Sequence, residues 1–444
     1  MSRRPKKHRG RKRTAPKLVR EQLDVSVQSL GAQGDGIAHA EFQGKLQQLY
    51  IPGALPGESV RVETRAKRGE GVLCQLLDIA SKSEDRKDAA CPHFDTCGGC
   101  ALQHLTDQAY GAWKQARVVE ALQKRGFDTV PVSAPIRIGE GTRRRVTFTA
   151  LKRGKKLFFG FNARASHDLV AVENCPLLVA ELNALIAPMQ AAFGAFLQDG
   201  ARARIHVTDC ENGADILIEC DQTPDLAARE ALAAFVQSCE TARIGWKQDG
   251  QSPEPIVQAA TPLIDLSGVK VELPQGAFLQ ASVVGEHAIR DAVLAGLEGV
   301  SGRFADLFCG LGSFSVPLSR QGRVDAFDVT EASLKALERG AGRADLGGRI
   351  SAHVRDLGNN PLVGKELCVF DAVVFDPPRA GALDQAQQLA EADVQHVVGV
   401  SCNPATFARD ARVLVDGGFQ LISVQPIDQF TYSPHVELVA QFRR

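Results

Sequence analysis

The sequence predicts an α/β protein, with a doubly wound parallel sheet in its C-terminal part preceded by a small β-barrel and a mixed α+β segment. Three observations carry this. From Ser301 onward apolar strand, glycine-containing turn and helix alternate repeatedly, which is the pattern of parallel strands joined by crossover helices. From Glu21 to about Ser83 short apolar runs alternate with turn signals, as in a barrel of short strands. A chain of 444 residues is also too long for one ordinary core, since domains run to roughly 100–200 residues. We divide it into a basic tail (1–20), a barrel (21–83), a central α+β domain (84–270) and a C-terminal sheet domain (271–444).

Composition narrows the class. Hydrophobic residues make up 44% and charged residues 23%, as in globular proteins, and no apolar stretch reaches the ~18 residues of a membrane span. The formal net charge is zero, yet residues 1–20 hold ten Lys or Arg and no acid, which leaves the other 424 residues ten charges negative. Such a tail cannot bury apolar surface, so it should be disordered and attract polyanions by counterion release. RNA or DNA is the expected partner, with a merely solubilising tail as the plainer reading. The basic run is followed by polar sequence and not by an apolar core, which excludes a secretory signal. Eleven cysteines in unequal spacings, several inside apolar runs, predict a reducing cytoplasm and not a disulfide framework.

In the barrel, Gly34-Asp35-Gly36-Ile37-Ala38 and Ile51-Pro52-Gly53-Ala54-Leu55-Pro56-Gly57-Glu58 resemble the TRAM domain, an OB-like RNA-binding barrel. An unrelated small barrel is the other reading. The polar stretch 81–88 then serves as a linker. Cys91, Cys97 and Cys100 follow in a C-x5-C-x2-C arrangement, and three thiols so close suggest a metal site. Gly98 and Gly99 let that loop fold round a bulky group. Thiolate ligation suits iron-sulfur or zinc, and His93 and His104 keep zinc open. A helix is predicted over 106–125, and strands over 146–151, 204–207 and 216–220.

In the C-terminal domain the strand 304–308 runs into Cys309-Gly310-Leu311-Gly312-Ser313-Phe314 with a helix pattern directly behind it. Glycines there let backbone approach a ligand at a helix N-terminus. The strand 323–328 ends in Asp328, an acid able to accept both ribose hydroxyls of an adenosyl ligand. Asp356 follows a strand-like run 351–355, and Asp376 follows the mostly apolar run 368–375. In a doubly wound sheet these strand ends converge on one crevice, although for Asp356 a simple cap remains open.

Asp376-Pro377-Pro378-Arg379-Ala380-Gly381 has Arg379 where methyltransferases acting on amino groups commonly carry an aromatic residue, which suits a phosphate or a base carbonyl instead. A buried strand 397–401 places Cys402 at its C-terminal end, at the start of a helix over 405–415. A helix N-terminus should lower the thiol pKa and make Cys402 a nucleophile, against the commoner fate of an inert buried cysteine. Alternation in His435-Val436-Glu437 puts His435 and Glu437 on one face, offering Glu437 as a base.

Asp306-Leu307-Phe308-Cys309-Gly310, the Asp376 to Gly381 motif, Ser401-Cys402-Asn403-Pro404-Ala405-Thr406 and His435-Val436-Glu437 occur in an order that resembles the RNA uracil-5 methyltransferase family, specifically its ribosomal-RNA branch with a TRAM domain and an iron-sulfur cluster. The resemblance covers nearly the whole chain. It implies a Rossmann-like class I methyltransferase domain, Cys402 as nucleophile and Glu437 as base. It also implies an S-adenosylmethionine site including Gln280 (through Phe278-Leu279-Gln280), Phe308, Asp328 and Asp376. A 4Fe-4S cluster is implied on Cys91, Cys97, Cys100 and Cys175, the last in Asn174-Cys175-Pro176. Carbon 5 of uracil attacks a sulfonium methyl only after a thiolate adds at carbon 6, and a flipped-out base is needed for that addition.

The sequence departs from the family pattern at Ser313 (commonly Asn), Thr142 (usually Tyr) and Thr431 (Pro), which touches cofactor contacts and the RNA-facing surface. The expected activity is methylation of a uridine in ribosomal RNA, most naturally of the large subunit, by a cytoplasmic monomer. A tRNA T-loop uridine and a catalytically silent RNA-binding factor are the alternatives. A radical methylthiotransferase is excluded by the missing C-x3-C-x2-C motif.

Overall fold

The structure is a computed structural model that describes residues 20–129 and 131–444. The basic run 1–19 therefore lies outside the described residues. By contact the chain divides into two compact units, Met1–Lys87 and Asp88–Arg444.

The first unit is a six-stranded sheet, in spatial order Gln22–Ser26, Ser59–Arg68, Gly71–Ser81, Lys45–Ile51, Gly36–Phe42 and Ser29–Leu30. All pairs are antiparallel except Lys45–Ile51 with Gly71–Ser81. Alternating inward residues such as Ala38, Leu49, Val60, Val62 and Val72 make one core. Gly36 is required in its turn, since a Cβ there would stand 2.8 Å from the Ala54 carbonyl oxygen. Glu58 is fully buried and anchors the neighbouring turn. Burial alone would raise its pKa, but Arg86 Nε at 2.5 Å and the Leu55 N–H at 2.8 Å hold it below the ordinary value.

The second unit contains two large sheets. One has seven strands in the order Leu169–Ala171, Lys156–Asn162, Arg145–Arg153, Arg202–Thr208, Ala214–Glu219, Thr241–Lys247 and Glu254–Gln258. Helices Ile186–Phe196 and Leu226–Ser238 pack their Met189, Phe193, Leu232 and Phe235 onto its apolar face. The strands predicted over 146–151 and 204–207 fall within this sheet, and that over 216–220 overruns strand Ala214–Glu219 by one residue.

The other sheet has eight strands, ordered Ile350–Val354, Gly322–Asp328, Gly302–Leu307, Ala372–Phe375, His396–Ser401, Glu437–Arg443, Gln420–Asp428 and Ile136–Arg137. The first five are parallel, and Glu437–Arg443 runs antiparallel to both of its neighbours. Helix Asp107–Gln123, capped by Thr106 Oγ1 accepting from the Ala109 N–H, joins this sheet's core through Val118 and Leu122. Residues 107–137, grouped on sequence with the central segment, therefore contribute a helix and an edge strand to the C-terminal layer.

Two expected elements are shorter than their sequence patterns. The helix behind the glycine loop is a single turn, Ser315–Leu318. It must end there because the chain re-enters the sheet at Gly322, whose Cα lies so near the Gly302 carbonyl that a Cβ would stand 2.0 Å from it. The apolar run 368–375 is also not one strand: Cys368 caps the short helix Gly364–Leu367, and only Ala372–Phe375 is extended.

Candidate functional site

The parallel register fixes which side chains meet. Leu307 pairs with Phe327 and with Phe375, and Phe375 pairs with Gly399. The next residues, Phe308, Asp328 and Asp376, thus leave three adjacent strands at one level of the C-terminal edge. Ser401 pairs with Leu438 of the reversed strand, so Cys402 and Glu437 continue opposite one another at the same edge. Five of the residues singled out on sequence are brought together in this way.

The glycine loop is built by backbone conformations that favour glycine. Gly310 and Gly312 have φ of 55° and 92°, and a Cβ on Gly312 would stand 2.5 Å from a Leu337 methyl carbon. Phe308 itself takes φ 63°, an uncommon conformation for a side-chain-bearing residue. Asp328 accepts from the Gly310 N–H at 3.0 Å and from the Thr330 N–H at 2.7 Å, which ties the loop to the second strand's end. Asp356 is exposed, and its carboxylate accepts from the Gly358 N–H at 3.1 Å, the Asn359 N–H at 3.3 Å and Asn359 Nδ2 at 2.7 Å. It caps its own turn.

Carboxyls crowd the floor of the crevice. Asp306 is completely buried, accepts from Ser315 Oγ at 2.5 Å, and has its pKa pushed up to about 7 by burial, with Asp376 and Asp328 adding to the rise. Burial, then the charge of Glu437, raises Asp376 well above the carboxylate range. Glu437 is 5% exposed and burial lifts it to about 7, against a hydrogen bond from Gln429 Nε2 at 3.0 Å. Gln429 Nε2 also donates to Gln280 Oε1 at 2.7 Å, which brings Gln280 to the base. Sequence reasoning missed Asp306, although it stands inside the Asp-Leu-Phe-Cys-Gly motif. It also missed Gln429, which no motif marks.

Cys402 is half-buried and precedes Asn403, the N-cap of helix Pro404–Asp416. The expected lowering of its pKa is not what the surroundings produce. Burial, followed by the Glu437 and Asp376 carboxyls, pushes the thiol up to about 11, and the Arg379 guanidinium only partly offsets this. Burial comes first and the two acids add to it, so the place before a helix does not decide this pKa. The loop carrying Arg379 is clamped to that helix, because its carbonyl accepts from Asn403 Nδ2 at 3.0 Å and Thr406 Oγ1 at 3.2 Å. Arg379 Nη2 lies 3.3 Å from His435 Nδ1.

The side chains of Cys91, Cys97, Cys100 and Cys175 line one cavity of about 290 Å³. Burial raises the pKa of Cys97, Cys100 and Cys175, and neighbouring thiols raise each of them further. Among the described residues no three His, Cys, Asp or Glu close round a point as a single bound ion would demand. Four thiols lining one cavity are soft donors of the kind that iron-sulfur clusters and zinc both take. His93 lines the same cavity.

Five parallel strands, a reversed strand beside them and acids along the C-terminal edge define a class I methyltransferase with a site for S-adenosylmethionine. The chain belongs to the RNA uracil-5 methyltransferase family. The tRNA (Uracil-5-)-methyltransferase family model matches residues 362–443. An RNA methyltransferase of Agrobacterium fabrum is 40% identical over 422 residues, covering 94% of this chain and 98% of that relative. The 23S rRNA (uracil(1939)-C(5))-methyltransferase of Aeromonas salmonicida is 32% identical, covering 96% and 97%. The fold is similar to that of the Pyrococcus abyssi tRNA (uracil-54, C5)-methyltransferase solved with S-adenosyl-L-homocysteine, at TM-score 0.71 and 20% identity, over 95% of this chain and all of that one.

Proposed function

We propose that this enzyme methylates carbon 5 of a uridine in large-subunit ribosomal RNA in the cytoplasm, through a covalent adduct between Cys402 and carbon 6. The observation that carries the reading is the pairing of Ser401 with Leu438, which sets a thiol and a buried carboxyl opposite each other at the mouth of a carboxyl-floored crevice. When bound, S-adenosylmethionine supplies an electrophilic methyl group on a cationic sulfur. Gln280, Phe308, Asp328 and Asp376 would hold it.

Cys402 sulfur adds to carbon 6 of the flipped uracil after the half-buried thiol gives up its proton to solvent water. Burial, and after it Glu437 and Asp376, holds the thiol protonated, and a cationic ligand that offsets those two acids favours its ionisation. Electron density from the carbon 5–carbon 6 bond moves to carbon 5, which takes the methyl group as the sulfur–methyl bond breaks and a neutral thioether leaves. Glu437 then removes the carbon 5 proton, the double bond re-forms and the carbon 6–sulfur bond breaks, expelling the thiolate. A carboxyl lifted to about 7 is well matched to that proton transfer.

RNA reaches the crevice along a groove of about 610 Å³ that includes Gln280 and is lined by Arg143, Arg145, His206, Lys247 and Phe278. Arg145 stacks over the exposed Phe278 ring at 5.0 Å. The barrel of TRAM type and the basic tail would add phosphate contacts. Cys91, Cys97, Cys100 and Cys175 would hold a 4Fe-4S cluster with a structural role, tying the loop after Cys91 to the central sheet. Incubating the enzyme with S-adenosylmethionine and unmodified 23S rRNA or tRNA, then mapping 5-methyluridine by mass spectrometry, tests the substrate. Product confined to tRNA would refute the ribosomal reading.

A further inference from the structure

We propose that Arg144 and Glu286 are a positioning pair that shapes the glycine loop and Gln280 for the methyl donor, an inference that rests on the cofactor site proposed above. Both side chains are 4% exposed, and Arg144 Nη2 meets Glu286 Oε2 at 2.6 Å. A buried ion pair gains little net stability, because desolvation consumes most of the attraction. What this one does is join segments. Glu286 stands on helix Val283–Gly296, and its other oxygen, Oε1, accepts from Ser313 Oγ at 2.5 Å. Ser313 follows Gly312 in the glycine loop. Arg144 stands at the entry to strand Arg145–Arg153 and spends its Nε on the Gln280 carbonyl at 3.2 Å, while its backbone N–H donates to the Ala281 carbonyl at 2.9 Å.

The hydrogen bonds then continue into the crevice. Gln429 Oε1 accepts from the Ala281 N–H at 3.2 Å, which fixes the amide's orientation, and its Nε2 serves Gln280 Oε1 and Glu437 Oε1 together. Ser313, Glu286, Arg144, Gln280, Gln429 and Glu437 thus form one unbroken chain from the loop that would face the methyl donor to the base. Ser313 departs from the Asn common in the family pattern, yet it keeps the one property the chain needs, a donor aimed at Glu286. The pair does not face the crevice itself, so its effect passes through the loop and through Gln280.

The test measures S-adenosyl-L-homocysteine binding by calorimetry, with KM and kcat for S-adenosylmethionine, in wild type, Ser313→Ala, Ser313→Asn and the double variant Arg144→Met/Glu286→Leu. The double variant removes both charges together, so the core is not left with an unpaired ion. Expected for Ser313→Ala is about tenfold weaker binding and a matching rise in KM with kcat little changed, together with a lower melting temperature, since a buried charged acceptor loses its donor. Ser313→Asn restores binding to near wild type, and the folded double variant binds as weakly as Ser313→Ala or worse. Binding within twofold of wild type in Ser313→Ala or in the double variant overturns the inference, as does a Ser313→Asn variant no better than Ser313→Ala. A wild type that binds no S-adenosyl-L-homocysteine overturns the cofactor reading itself, which separates the two failures.

Discussion

Asp376, directly after strand Ala372–Phe375, and Glu437, at the start of strand Glu437–Arg443, act on one another: burial and then the charge of Glu437 raise the Asp376 pKa well above its ordinary value. Glu437 itself is lifted from 4.5 to about 7. The folded protein therefore binds more protons than the unfolded chain between those values, and stability falls as pH rises through 7. The contribution is fully present below pH 4.5. Melting temperatures between pH 5 and pH 8 should decline in wild type and decline less in Glu437→Gln; equal slopes contradict the assignment.

The same carboxyl makes an opposite demand on catalysis. Glu437 must be ionised to take the carbon 5 proton, so turnover should climb by about tenfold per pH unit below 7 and level off above it. In Glu437→Gln the proton stays on carbon 5, and a methylated protein–RNA adduct should build up on ordinary uridine RNA. Denaturing gels with labelled methyl donor would show it; a variant that turns over normally removes Glu437 from the role of base.

Gly312→Ala combines a φ of 92° with a Cβ 2.5 Å from Leu337. The strain should cost about 1–3 kcal/mol and distort the loop that approaches the methyl donor. Chemical denaturation should report the lost stability and calorimetry a weakened S-adenosyl-L-homocysteine affinity; an unchanged affinity would separate the loop from the donor site.

Lys114 on helix Asp107–Gln123 is fully buried, meets Asp428 at 2.8 Å and donates to the His435 carbonyl, two residues before the base. Lys114→Met leaves Asp428 buried and unpaired, so about 3–5 kcal/mol of stability should be lost. Lys114→Met/Asp428→Leu should recover much of it. Urea unfolding of wild type and the two variants checks this; a double variant no more stable than Lys114→Met would refute it.

Anaerobically purified protein should carry iron and acid-labile sulfide, both lost in Cys175→Ser, if the four thiols lining the cavity hold a cluster. Metal analysis finding stoichiometric zinc and no sulfide would contradict the assignment.

The strand ends were legible in the sequence because a parallel sheet repeats one pattern, apolar run then acid, and Asp328 and Asp376 follow it. Asp356 follows it too and caps its own turn, because nothing in a strand pattern tells a crevice acid from an Asx cap. The pKa of Cys402 could not be read from its place before a helix. It depends on Glu437 and Asp376, which the register of distant strands brings to it. Gln429, Glu286 and Arg144 were invisible for the same reason: their roles lie in contacts across 136 to 149 residues of chain. The packing of helix Asp107–Gln123 on the C-terminal sheet was hidden because its apolar stripe suits either layer.

The most direct measurement of the central claim uses RNA carrying 5-fluorouridine, where fluorine at carbon 5 blocks the final proton abstraction. Wild type and Cys402→Ala are incubated with this RNA and methyl-labelled S-adenosylmethionine, then run on denaturing gels. A labelled protein–RNA adduct in wild type alone is the predicted result, and sequencing the trapped RNA names the uridine. Absence of an adduct in wild type, on RNA that it demonstrably binds, would contradict covalent catalysis through Cys402 and leave an RNA-binding factor on a methyltransferase fold.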